Sequence, residues 1–490
     1  MIQASTTTAD IMKAGLMEEI FSERTLQATG PFMALSFGIL LLVLAEIVPG
    51  LQLLRKLIFI ATLGVAGWCA WKTIGAPEAW VFEDTYVANS TTGWWTMLFL
   101  AATFIAWLFG QRYYKAESAL EGEHDLLMMS ACAGMVLMAG SRDLLVFFVG
   151  LELLSVPLYT LSAFQRSRRE SVEAGLKYFV LGAFAAATYL FGSALVYAGT
   201  GTLTFKAINP ADLGGPLVIA GAALIAASLF FKVSVFPFHM WVPDVYQGAP
   251  APVTTFMATG TKAAAFAFLV PAAAALLPYE SKHLAAVIAL VTMAVGNFGA
   301  LVQTDLKRLL AYSGVAHAGT LLLAIAALQG EPGPDAAMRA VLFYMAAYVF
   351  TAGGAFGLVT MLESQTGRAV TIDSIKGLAA KRPGIAAALA LFMLSLGGIP
   401  ATGGFLGKYL VFSLAVRSDL LVVALIGIVL SVVALAYYLR VIVALYMQPE
   451  MDGKPVPTQA RALSGLVAFA CAVMVLALGL VPAWFLDSLR

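Results

Sequence analysis

Apolar runs of membrane-crossing length follow one another from Phe32 to Leu486, separated only by short charged connections, and this constrains the chain more than any other feature. A helix needs about 20 apolar residues to cross the hydrocarbon core of a bilayer. Inside that core only helices or closed barrels satisfy every backbone polar group. The runs predict spans at 32–48, 57–71, 93–110, 126–140, 143–164 and 176–197, then at 217–242, 251–277, 284–302, 309–328, 340–362, 385–416, 420–446 and 462–486. The expected fold class is an all-α membrane protein of about 14 transmembrane helices. Only 12% of the 490 residues are charged, where a soluble domain carries about 25%, so no soluble domain fits between the spans. Residues 1–31 are mixed polar and acidic, and no cleaved targeting segment is expected there.

The net charge of +1 lacks the basic patch of a nucleic-acid binder. Cys69, Cys132 and Cys471 lie in separate apolar segments without metal-ligand or disulfide spacing, and are expected to be small core residues. With basic residues inside spans set aside, the side holding the N-terminus carries nine Lys and Arg and the other side fifteen. The richer side is expected to be cytoplasmic. Both termini are then predicted to be periplasmic, for a chain expected in an inner membrane.

Two spans are interrupted by helix breakers at membrane depth. The seventh holds Pro237, Pro243 and the run Gly248 to Pro252; the twelfth holds Gly397, Gly398, Pro400, Gly403 and Gly404. Such breaks are tolerated only where protein or a water-lined cavity satisfies the freed backbone groups. Each break falls in the fourth span of a five-span unit, and consecutive units with an odd number of spans run in opposite directions. That is the plan of inverted repeats whose broken helices mark a transport site. The chain therefore divides into an N-terminal region 1–125 with spans one to three, repeats 126–277 (spans four to eight) and 283–447 (spans nine to thirteen), and a C-terminal segment 448–490 with span fourteen.

Glu152 sits in mid-span five, Lys232 just before the first break, Lys262 within span eight and Lys408 just after the second break. An ionisable residue at the bilayer centre costs about 2.5–3.5 kcal/mol on insertion scales and by default marks function. A lysine titrates near 10.4 in water, but burial lowers this by ~3–5 units, while a nearby carboxylate raises it again. A carboxylate whose separation changes can therefore load and unload a lysine. The alternative, a static Glu152–Lys232 ion pair, leaves Lys262 and Lys408 without counter-ions. Lys177, near the start of span six, can snorkel to the interface and is a second-rank candidate. His317, in the second span of the second unit, is either a hydrogen-bonded core residue or a relay. His239 and Asp244 flank the first break and are expected to cap interrupted helix ends, and Arg440 lies near an interface.

The stretch FKVSVFPFHMWVPDVYQGAPAPVTTFMATGTK from Phe231 resembles the central signature of the proton-translocating antiporter-like family, shared by respiratory complex I, Mrp-type cation/proton antiporters and membrane-bound hydrogenases. DLKRLLAYSGVAHAG from Asp305 and GGIPATGGFLGKYLVF from Gly397 resemble two further family motifs in the same order. The resemblance covers roughly spans four to thirteen. It implies a proton path through Glu152, Lys232, Lys262 and Lys408, with the family's central histidine at His317. LELLSVPLYTLSAF from Leu151 and the stretch from Gly175 are most similar to the subunit N branch of the bacterial complex, which also carries a lysine at the place of Lys177. Length fits that branch, since the subunit L type has a long C-terminal lateral helix. Residues 1–31 are longer and more polar than the resemblance leads one to expect.

The resemblance implies that no cofactor binds this chain, and that NADH, flavin, iron–sulfur clusters and quinone are handled by partner subunits in the same membrane complex. The sequence itself has no cysteine cluster, no paired histidines suited to haem and no dinucleotide glycine fingerprint. Two other functions compete: a cation/proton antiporter subunit, which would show sodium stimulation without NADH dependence, and a passive scaffold, in which neutral substitutions of the lysines would leave coupled turnover intact.

Overall fold

The computed structural model describes residues 22–48, 50–111, 113, 121–277, 281–328, 330–331, 333–366, 368–449 and 462–489. The chain is mostly helical. We number the principal helices α1 Glu23–Ile47, α2 Gln52–Thr73, α3 Ser90–Gly110, α4 Glu121–Gly140, α5 Leu144–Ser162, α6 Arg169–Thr200, α7 Pro216–Val233, α8 Trp241–Gly248, α9 Ala251–Leu276, α10 Ser281–Leu301, α11 Leu306–Ala326, α12 Pro334–Thr366, α13 Pro383–Gly397, α14 Gly403–Arg417, α15 Leu421–Met447 and α16 Ala462–Leu480. Among the described residues, twelve of these are long and apolar enough to cross a membrane, against the fourteen spans expected. The difference lies in α4, whose first turns carry Glu121, Glu123 and Asp125, and in α13 and α14, two 15-residue pieces of one expected span. At 1.5 Å per residue, each piece reaches about 22 Å, short of a hydrocarbon core of about 30 Å. One departure from an all-helical chain is a hairpin between α2 and α3, in which β1 (Ala79–Val81) pairs antiparallel with β2 (Tyr86–Ala88). Of the polar region 1–31, residues 1–21 lie outside the described residues, as does Thr6, a labelling position suggested by the expected topology, while Ser22 caps α1 and 23–31 form its first turns, ahead of the span start expected at 32.

Burial sorts the helices by role. α9, α11 and α12, which carry Lys262, His317 and a set of tyrosines, are almost wholly buried, whereas α1, α2, α6 and α15 keep broad apolar faces exposed. Apolar side chains outside and polar ones inside suit a chain whose solvent is lipid.

Both breaks are built alike. α7 ends at Ser234, whose φ of 70° is left-handed, with the Val235 amide donating to the Phe230 carbonyl at 2.8 Å. α13 ends at Gly398, with φ of 82°, and the Ile399 amide donates to the Leu394 carbonyl at 3.0 Å. This six-to-one closure satisfies carbonyls that a helix end leaves open. Not every breaker residue breaks a helix. Pro243 lies in the first turn of α8, where a missing amide hydrogen removes no helical bond, and Gly403 and Gly404 begin α14.

A second correspondence involves the pair of helices before each broken one. Asp143 caps α5 by accepting from the Leu145 and Val146 amides, and forms an antiparallel bridge with Thr204, just beyond α6. Asp305 caps α11 by accepting from the Arg308 amide, and forms the same bridge with Thr371, just beyond α12. An aspartate cap typically contributes ~1 kcal/mol.

α4 and α5 approach at Gly134, where a β-carbon would lie 2.5 Å from the Leu154 amide nitrogen and 2.7 Å from the Gly150 carbonyl oxygen. Both obstacles are backbone. Gly134→Ala should therefore force the helices apart and, at about 1–3 kcal/mol, reduce the amount of chain recovered folded from membranes. Recovery and thermal stability equal to those of the parent would refute this tight contact.

Candidate functional site

α5 presents Glu152, Ser155 and Tyr159 on one face by their spacing of three and four residues. Together with Lys232 at the end of α7 they line one cavity. Lys232 is buried, and its ammonium donates to Ser155 Oγ at 2.8 Å and Tyr178 OH at 3.1 Å. The hydroxyl of Ser155 in turn donates to the Leu151 carbonyl at 2.5 Å. No Glu152–Lys232 ion pair forms among the described residues: Lys232 donates to Ser155 and Tyr178 instead, and Glu152 Oε1 is buried without a hydrogen-bond partner. The carboxylate is near enough to share the cavity but does not neutralise the lysine by contact.

Lys262 is 1% exposed, directly after a π-helical turn over Met257–Thr261. Its ammonium donates to the Gly314 carbonyl of α11 at 2.6 Å and stands over the Tyr348 ring, 5.5 Å from its centroid. Three residues on, the His317 ring is bracketed by two phenols. Nδ1 is 2.6 Å from Tyr344 OH, and Nε2 is 3.2 Å from Tyr438 OH. Tyr438 OH is also 2.5 Å from Ser313 Oγ, one turn back on α11. Lys408 is buried on α14 and donates to the Leu396 and Gly397 carbonyls, at 3.0 and 3.1 Å, which the second break has freed. Lys408 and His317 line a common cavity with Tyr437, Tyr438 and Asn297.

Chemically, carbonyl oxygens hold an ammonium but take no proton from it, whereas hydroxyls and imidazole both accept and donate. The structure thus brings Lys262, His317 and Lys408 into one neighbourhood and Glu152 and Lys232 into another. Lys177 belongs to neither. It is 41% exposed and pairs with Glu173 at 2.8 Å and Asp244 at 3.0 Å. His239 and Asp244 do not cap the broken helix, because backbone closure at Ser234 already ends α7 and Met240 offers α8 no side-chain bond. Asp244 instead accepts from Arg308 at 2.7 Å. Burial alone would raise its carboxyl, but bonds from Arg308 and Lys177 hold it below the ordinary carboxylate range. Arg440 donates to the Leu301 and Gln303 carbonyls and so closes the end of α10.

Sequence reasoning missed the aromatic and hydroxyl partners, Tyr178, Tyr344, Tyr438, Ser155 and Ser313. It also missed a buried node in which Glu363 accepts from Tyr113 at 2.7 Å and Arg168 at 2.9 Å and pairs with Lys307 at 3.0 Å. A glutamate at the end of an apolar run was the available signal for that node. Among the described residues, no group of three or more His, Cys, Asp or Glu side chains lies close enough to hold a metal.

Residues 141–434 match the family model described as NADH:quinone oxidoreductase/Mrp antiporter, TM. The chain is 39% identical over 421 residues to NADH-quinone oxidoreductase subunit N 2 of Roseiflexus castenholzii, covering 83% of each chain. It is similar in structure to a chain of respiratory complex I from Thermus thermophilus, at 36% identity and a TM-score of 0.81, covering 94% of this chain and 99% of that one. A chain of the Mrp complex from Dietzia has the same fold at 21% identity, with a TM-score of 0.82 and coverage of 95% and 96%.

Proposed function

The chain belongs to the NADH:quinone oxidoreductase/Mrp antiporter family, within its subunit N branch, and from that membership we propose that it moves protons across a bacterial inner membrane as a subunit of NADH:quinone oxidoreductase. The path runs through Glu152, Lys232, Lys262, His317 and Lys408. What supports it most is the solvation of the three buried lysines: hydroxyl and carbonyl oxygens, not paired carboxylates, receive their hydrogen bonds. A lysine so placed is held ready to change its charge, whereas a structural cation is normally paired. His317, flanked by Tyr344 and Tyr438, takes a proton at one ring nitrogen and releases one from the other. Lys177 stands outside this line as an interfacial site. NADH oxidation and quinone reduction, with flavin and iron–sulfur clusters, belong to partner subunits, and no redox step is assigned to this chain.

The matching backbone closures and aspartate bridges support two inverted repeats, 126–277 and 283–447, between flanking regions 1–125 and 448–490, completing fourteen spans. Both termini then face the periplasm. A cysteine at Ser488 should react with a membrane-impermeant reagent added to intact cells stripped of their outer barrier; reaction only from the cytoplasmic side would overturn this orientation.

The function is tested by purifying the chain from its native membrane and reconstituting the particle in sealed vesicles. Flavin and iron–sulfur subunits should co-purify, and NADH should drive acidification. Sodium-stimulated transport without NADH dependence would favour a cation/proton antiporter and refute the assignment.

A further inference from the structure

The short helix α8 touches the surroundings of both neighbourhoods. At its start, Trp241 stacks on Tyr178, with ring centroids 4.7 Å apart and planes 8° apart, and its indole donates to the Phe231 carbonyl at 3.0 Å. Tyr178 accepts from Lys232, and Phe231 precedes that lysine in the chain. At its end, Gly248 presses on α6, where a β-carbon would lie 2.5 Å from the Glu170 carbonyl oxygen. The opposite flank is held by the first turn of α11. Arg308 donates to Asp244 Oδ1 at 2.7 Å and to Gln247 Oε1 at 3.1 Å, and Lys307 donates to the Ala249 carbonyl at 3.0 Å. Farther along the same α11, Gly314 receives Lys262 and His317 meets its two tyrosines.

An isolated helix of eight residues does not hold its own position, so tertiary bonds set where α8 stands. The non-helical connection Val235–Met240 separates α8 from α7, so that Trp241 and its bonds, not a continuous helix, link the two, whereas nine residues of continuous helix, about 14 Å, join Arg308 rigidly to His317. A shift at Tyr178 therefore reaches α11 through Trp241, α8 and the Asp244–Arg308 bond.

We propose that α8 is a strut coupling the Lys232 site to the Lys262–His317 site, and that Asp244 and Arg308 are the positioning residues that fasten it to α11. The inference rests on the proton-moving role proposed above and adds how its two halves keep step. Asp244 also holds Lys177 on α6, so its loss loosens both flanks of the strut, and loss of Arg308 only one.

The test uses the assembled complex in sealed vesicles, with protons moved per NADH oxidised as the readout and the amount of assembled complex measured alongside. Asp244→Asn and Arg308→Gln should each assemble normally yet lower that ratio by about twofold or more. The double variant should lose less than the sum of the two single losses, because both changes cut the shared Asp244–Arg308 bond. Asp244→Glu, which keeps the charge, should recover most of the ratio. An unchanged ratio in both single variants, or a loss of assembled complex with an unchanged ratio in what remains, would overturn the strut. Lys232→Ala, run in parallel, separates the two ideas: normal pumping there defeats the proton path itself, whatever happens at Asp244.

Discussion

Lys232→Arg should assemble into the complex and lose most of its proton pumping. Arginine keeps the positive charge but stays protonated within any cycle, so it distinguishes a charge that must be present from one that must come and go. Lys232 is buried and donates to two hydroxyls, Ser155 and Tyr178, without contact to Glu152. If its task were only to balance that glutamate, arginine would retain much of the coupled activity, less a steric cost. If it passes protons, Lys232→Ala and Lys232→Arg should be impaired alike although only one loses charge. NADH-driven quinone reduction and vesicle acidification, followed together at matched protein level, decide the matter. Normal acidification by the arginine variant would return Lys232 to a structural role.

The largest effect on stability is expected at Glu363. Its carboxylate and the Lys307 ammonium are each 2% exposed, and the same carboxylate binds Arg168 and Tyr113. Glu363→Ala strips a buried ammonium of its counter-charge, a change that costs about 3–5 kcal/mol. Folded chain should become scarce, and what is recovered should unfold at a lower temperature. Replacing the pair together, as Glu363→Leu with Lys307→Met, removes both buried charges and should regain much of the loss, since apolar substitutes of similar volume often match a buried ion pair. Arg168, 34% exposed, can turn to solvent. Equal thermal stability of Glu363→Ala and the parent, measured in detergent, would show that the node contributes little.

The contrast between Lys232 and Tyr178 explains what the sequence could disclose. A lysine inside an apolar run is conspicuous because it is costly there, and Lys232, Lys262 and Lys408 were legible on that ground alone. A tyrosine in the same setting is unremarkable, being also a core and interfacial residue. Only the fold brings Tyr438 to His317 across 121 residues, or Glu363 to Arg168 across 195. The helix breaks were readable from glycine and proline, but whether a given proline breaks a helix depends on where the helix begins. Pro243 lies in a first turn and Pro237 in a gap, a difference invisible before α8 is placed. The hairpin escaped notice because strands of three residues are too short to display an alternating pattern.

The bridges Asp143–Thr204 and Asp305–Thr371 bear on how such a chain is made. Each joins the entry of one helix to the exit of the next, so α5–α6 and α11–α12 are hairpins fastened at their open ends by their own residues. As the chain leaves the ribosome, the α5–α6 pair completes its fastening once Thr204 emerges, with the whole second half still to be synthesised. The α11–α12 pair does the same at Thr371. Each hairpin can enter the bilayer as a closed unit, its cap and bridge already satisfied. The distant contacts of Glu363 and Arg308 then join units that are already shaped, which makes membrane insertion and final assembly separable steps.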